Sequence, residues 1–201
     1  MRTSSHPFHP KVLQVRLTDE LLQAADERAK SAGKDYLNSH SMRGLGALQV
    51  GAIGELIFMA YLLSLDIKYV DDSAVTTTHD LRLLLDSEKK LDVKTKERKE
   101  AWPSYDWDCT VSDYLINHQA VDYYSFVSVT SEDPKSTSMS RFSGQSAYYL
   151  GMISKDEFLE RAEFIPKGTY DWSNGFTSHK DQWNIKVEDL HSPKKEDLFI
   201  V

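Results

Sequence analysis

Residues 45–65, LGALQVGAIGELIFMAYLLSL, are the most apolar stretch of the chain and set the first constraint on its fold. The stretch contains Gln49, Glu55 and several glycines, a pattern that predicts a buried helix from about Leu45 to Leu63 rather than a membrane span. Such a helix needs the rest of the chain to cover it. With 201 residues, 40% of them hydrophobic and 27% charged, the chain is long enough to do so as one globular domain with appendages.

The flanking sequence supplies strands. KVLQVRL (11–17) reads as a short strand, and TDELLQAADERAKSAG (18–33) as a helix with Thr18 as N-cap and Gly33 as its stop. After the apolar helix, IKYV (67–70) reads as a strand, and HDLRLLL (79–85) with KKLDVKTKE (89–97) as a hairpin. RKEAWPSYDWDC (98–109) reads as irregular, VSDYLINHQAV (111–121) as a helix and YYSFVSVT (123–130) as an interior strand. The Ser-rich run 131–146 reads as a surface loop, AYYLGMI (147–153) as a strand, and KDEFLERA (155–162) as a helix capped by Ser154 and Glu157. A last strand is expected near 184–190. This order predicts an α/β fold with a mixed central sheet flanked by helices. Residues 1–44 form an arm and helix packed on a core at 45–165, and 166–201 a loop-rich extension of the same domain.

A net charge of −7 gives the chain no global basic field, although Lys94, Lys96, Arg98 and Lys99 cluster locally. The single Cys109 leaves no intramolecular disulfide and no cysteine-based zinc cage, which fits a reducing compartment. The first ten residues, MRTSSHPFHP, lack the apolar run of a secretory signal. A cytoplasmic protein is expected, in the host cytoplasm if it is viral.

Three acids face the wrong way for simple solvation. Glu55 lies along the apolar stripe of its helix, one heptad after Leu48 and seven residues before Leu62. A desolvated carboxylate has to be paired, protonated or metal-bound, and Arg43 or Arg82 would be its structural partner. Asp80 opens a strand on the side opposite Leu81, Leu83 and Leu85, where an ordinary turn cap is the alternative. Asp92 and Lys94 share the face opposite Leu91 and Val93, and taken alone that is the exposed side of a half-buried strand.

Together, Glu55 in GAIGE, Asp80 in HDL, and Asp92 and Lys94 in DVK resemble the PD-(D/E)xK nuclease superfamily, over about residues 45–130. His79 stands where a proline often precedes the first acid. The resemblance implies a restriction-endonuclease-like αβββαβ core and a metal-dependent nuclease acting on DNA, with RNA left open and a homodimer possible. It implies that Asp80, Asp92 and the carbonyl of Val93 bind Mg²⁺ or Mn²⁺, and that Glu55 holds a water beside the ion or a second ion. Lys94 would position and help activate the attacking water. Hard divalent cations prefer such oxygen donors and relieve phosphoryl charge. The rival expectation is a catalytically inactive nucleic-acid-binding or structural protein that retains the fold.

Register is the geometric test. A symmetric five-residue DSEKK loop would set Asp80 against Lys96, roughly 13 Å out of step with Asp92 at about 3.3 Å per residue. A tight turn at Asp86 and Ser87 sets Asp80 against Val93, and this is the arrangement expected. Secondary candidates carry two readings each. Gln119 and Tyr123 resemble an accessory motif of some exonuclease-like relatives, or are a helix end running into a strand. Lys96, Arg98 and Lys99 hold phosphates or are a solvated face. The aromatics of AWPSYDW stack on bases or plug a sheet edge. His79 orients Asp80 or touches phosphate, or is a structural histidine at a strand edge.

Overall fold

The computed structural model describes residues 12–36, 44–76, 78–84, 87–99, 103, 107–134, 136–171 and 176–191. A curled, mixed six-stranded sheet is built from β1 (Leu13–Arg16), β2 (Tyr69–Asp71), β3 (Leu81–Leu83), β4 (Lys89–Arg98), β6 (Tyr123–Thr130) and β7 (Ser146–Ser154). Its strand order is β1-β7-β6-β4-β3-β2. Only β4 and β6 run parallel; every other neighbouring pair in this sheet is antiparallel. A parallel pair needs a crossover, and here it contains α3 (Asp113–His118).

Helices α1 (Asp19–Tyr36) and α2 (Leu45–Ser64) pack on one face of this sheet. α2 is long and apolar enough to cross a membrane by length and composition, yet it buries Val50, Ile53, Ile57, Phe58 and Leu62 against Leu81, Leu91, Val93, Val127 and Tyr149. The other face carries Tyr124, Phe126, Tyr148 and Leu150, covered by Phe158 of α4 (Lys155–Arg161) and by a second sheet. That sheet joins β5 (Asp108–Ser112), β11 (Gln182–Lys186) and β8 (Glu163–Ile165) in the order β5-β11-β8. Because both faces are covered, all eight residues of β6 are buried, which is why YYSFVSVT reads as an unbroken apolar run. A two-residue pair, β9 (Tyr170–Asp171) with β10 (Phe176–Thr177), completes the strands among the described residues.

Local signals act as expected at the helix ends. The Thr18 hydroxyl accepts the Leu21 N–H at 3.3 Å, and the Ser154 hydroxyl accepts the Glu157 N–H at 3.2 Å. Gly33 does not stop α1, which continues through Tyr36. Residues 108–112 form a strand where irregular chain and helix were expected, and the helix begins only at Asp113. β5 pairs with β11, more than seventy positions onward, so no local periodicity announces it.

The β3–β4 register also differs from expectation. Leu81 pairs with Leu91 and Leu83 with Lys89, so five residues, 84–88, connect the strands in place of a tight turn. The tight turn would have set Leu81 against Asp92 and carried an acid onto the leucine face; the observed register keeps Leu81, Leu83 and Leu91 together, all fully buried. The wide DSEKK loop does not form either. Asp80 lies alongside 91–93, its N–H donating to the Leu91 carbonyl at 2.9 Å.

Candidate active site

Gly54 brings the Glu55 helix against β4. A Cβ at Gly54 would overlap the Thr95 hydroxyl and approach Thr95 Cβ to 2.9 Å, so a hydrogen at this position is what lets α2 and β4 meet. Glu55 is thereby held beside the strand that carries Asp92. Burial pushes its carboxyl pKa up, the Arg28 guanidinium opposes that, and the Asp71 and Asp92 charges add to the rise.

Arg28, from α1, donates Nε–H to Glu55 Oε2 at 2.6 Å. Its other nitrogens reach Asp71 at 2.7 and 3.0 Å and the Ser73 hydroxyl at 2.5 Å. Burial works against the Arg28 charge, but Asp71 and Glu55 more than offset it and its pKa is raised. The Asp71 carboxyl is lowered, Arg28 and Ser73 outweighing its own burial. Neither Arg28 nor Asp71 stands out in the sequence. An arginine on a polar helix is unremarkable until packing turns it toward an acid. Of the expected Glu55 partners, Arg82 pairs instead with Asp72 and Glu88, and Arg43 lies outside the described residues.

The Asp80 carboxylate accepts the Val93 N–H at 2.7 Å, while its backbone carbonyl accepts the Asp72 N–H at 2.9 Å. Its pKa is raised well above the usual carboxylate range, by burial first and then by the charges of Asp92 and Glu55. The Val93 N–H and Lys94 act in the opposite sense without cancelling the rise. Asp92 is 3% exposed. It pairs with the Lys94 ammonium and accepts the Gln119 amide at 2.9 Å, while Lys94 donates to Gln119 Oε1 at 3.3 Å. Gln119 thus ties Asp92 to Lys94 from the end of α3. That end is in turn held by Lys155, whose ammonium donates to the Ile116 and Gln119 carbonyls at 2.7 and 3.0 Å.

The structure therefore gathers Glu55, Asp80, Val93, Asp92, Lys94 and Gln119 into one neighbourhood. At four other positions the structure goes against the functional one of the two readings. Tyr123 packs in the core on the Leu91 face, away from Asp92. His79 is buried, with Nε2 3.1 Å from Asp72 and Nδ1 2.9 Å from the Thr78 hydroxyl; it braces the Asp72–Arg82 pair rather than Asp80. Arg98 is also buried. Its guanidinium covers the Trp107 ring at 4.2 Å and donates to the Asp108 carbonyl at 2.7 Å, so neither it nor Trp107 forms part of an open phosphate or base surface. At the end of a strand flanked by β6, apolar cover outcompetes solvation of that arginine stem. Lys99 is exposed, Lys96 half-buried, and Trp102 lies outside the described residues.

Among the described residues, no three carboxylate, imidazole or thiol groups stand together in an arrangement that could hold a metal ion. The third acid, Glu55, is taken by Arg28. No protein-family model, curated protein or solved structure matches this chain.

Proposed function

We propose that this protein is a divalent-metal-dependent nuclease that hydrolyses phosphodiester bonds in DNA. The observation that carries the reading is the field at Asp80. Burial first, and then the charges of Asp92 and Glu55, both distant in sequence, raise its pKa, and neither the Val93 N–H nor Lys94 cancels that rise. A protein that merely kept a fold has no use for that arrangement, because like charges in a buried site oppose its stability. The order α2, β2, β3, β4, α3, β6, with β5 inserted before α3, supports a restriction-endonuclease-like core.

The donor set fits a hard cation. Asp80 and Asp92 offer carboxylate oxygens, and the Val93 carbonyl leaves β4 on the same side as its N–H, toward Asp80. A bound Mg²⁺ or Mn²⁺ would supply Lewis acidity toward the phosphoryl group and a lowered pKa for water. The chain's own residues do the rest. Lys94, donating to both Asp92 and Gln119, presents its ammonium charge next to the carboxylates, where it stabilises charge building on a phosphoryl oxygen. Gln119 keeps that ammonium from swinging away. Phosphate contacts come from the exposed Lys99, just past β4, and from the half-buried Lys96 within it.

The test is cleavage of linear, circular, branched and single-stranded DNA with Mn²⁺ or Mg²⁺, in parallel with chelator, Lys94→Ala and Asp80→Ala. Expected is ion-dependent cleavage that stops in chelator and falls by ~10²-fold or more in either variant. Undiminished cutting in chelator, or in both variants, ends the reading.

A further inference from the structure

We propose that the Arg28 guanidinium stands where a second divalent ion would otherwise bind, so that the site loads one ion, on Asp80 and Asp92. This inference rests on the nuclease reading and deepens it. Arg28 reaches out of α1 to join two carboxylates from different elements, Glu55 of α2 at 2.6 Å and Asp71 of β2 at 2.7 and 3.0 Å, with the Ser73 hydroxyl as a further acceptor. Two acids and a hydroxyl around one cation are an oxygen-donor shell, and here a tethered side chain supplies the cation.

Admitting a free ion at this place would require either two like charges in contact or the loss of all these Arg28 contacts. The Arg28 and Glu55 side chains are 21% and 18% exposed, so water does not readily replace what is lost. Asp80 and Asp92 are differently placed. The Asp80 carboxylate accepts the Val93 N–H and, among the described residues, pairs with no cation, while Asp92 pairs with Lys94. The uncompensated charge lies there, and an ion is drawn to that side. Arg28 acts through Glu55 and is a positioning residue: it holds Glu55 next to the ion's pocket without making it a ligand.

The measurement is Mn²⁺ uptake by the full chain, followed by electron paramagnetic resonance of free Mn²⁺ and by calorimetry, without nucleic acid. The wild-type protein is expected to take up one ion per chain, and the double variant Asp80→Asn, Asp92→Asn none. Glu55→Gln is expected to leave the count at one. Arg28→Met, which keeps the stem and removes the charge, is expected to raise the count to two, and adding Glu55→Gln is expected to return it to one. Two ions in the wild type, a folded Arg28→Met still at one, or a Glu55→Gln at zero overturns the inference while leaving the nuclease reading in place. No uptake by the wild type, or uptake indifferent to Asp80 and Asp92, removes both. Should Arg28→Met not fold, the wild-type and Glu55→Gln counts still decide.

Discussion

A carboxylate that accepts the Val93 N–H while lying beside Asp92 and Glu55 sits in a field that opposes its own charge. Burial and those two acids raise the Asp80 pKa above its ordinary value of 3.8, so the folded chain binds protons there more tightly than the unfolded chain does. The resulting stability is fully present below the unfolded value and is lost as pH rises through the raised folded one. Glu55 shifts in the same direction. In chelator, thermal stability is therefore expected to fall between mildly acidic and neutral pH. Asp80→Asn keeps an acceptor for the Val93 N–H and removes the charge. It is expected to flatten that fall, to raise stability at neutral pH by ~1 kcal/mol, and to abolish cleavage, the usual trade at a functional site. Scanning calorimetry from pH 4 to 8 with chelator checks it (the range is roughly that over which carboxylates shifted by burial titrate); parallel curves for variant and wild type would contradict the assignment.

At the scale of elements, the site depends on how closely α2 meets β4. Gly54 lies one residue before Glu55 and against Thr95, so the closeness of that contact and the position of the acid are set together. Gly54→Ala adds a methyl group where the Thr95 side chain already stands. Helix propensity favours alanine by up to ~1 kcal/mol, but overpacking a tight contact opposes folding by ~1–3 kcal/mol, and the second effect is expected to win. Urea unfolding should show a net loss of stability, and any folded fraction should cleave more slowly because Glu55 moves off β4. A variant as stable and active as wild type would show that the helix can slide without consequence. The β3–β4 pair makes the same point from the sheet side. One step of register would exchange the leucine face for the acid face, and burial of Leu81, Leu83 and Leu91 selects the register that leaves Asp80 and Asp92 side by side.

For the whole molecule, an ion held as proposed would relieve repulsion among the carboxylates and so couple its binding to folding. Mn²⁺ at about 100 times its dissociation constant is expected to add ~2.7 kcal/mol to stability, seen as a rise in Tm that chelator reverses. A Tm indifferent to Mn²⁺ would argue against an ion at this site. Much of the architecture was legible in the chain itself. Apolar runs marked α2, β6 and β7, alternation marked β4, and hydroxyl caps marked the starts of α1 and α4. These are local, because period and capping act over a few residues. The acids Glu55, Asp80 and Asp92 were likewise conspicuous as charges set on or against apolar stripes. Tertiary structure alone decided what each charge touches. Arg28 rather than Arg82 reaches Glu55, Arg98 turns inward onto Trp107, His79 braces Asp72, and β5 finds β11 across the chain. Such pairings join segments tens of residues apart, and their choice follows from how helices and sheet faces pack. No periodicity within any one segment encodes it.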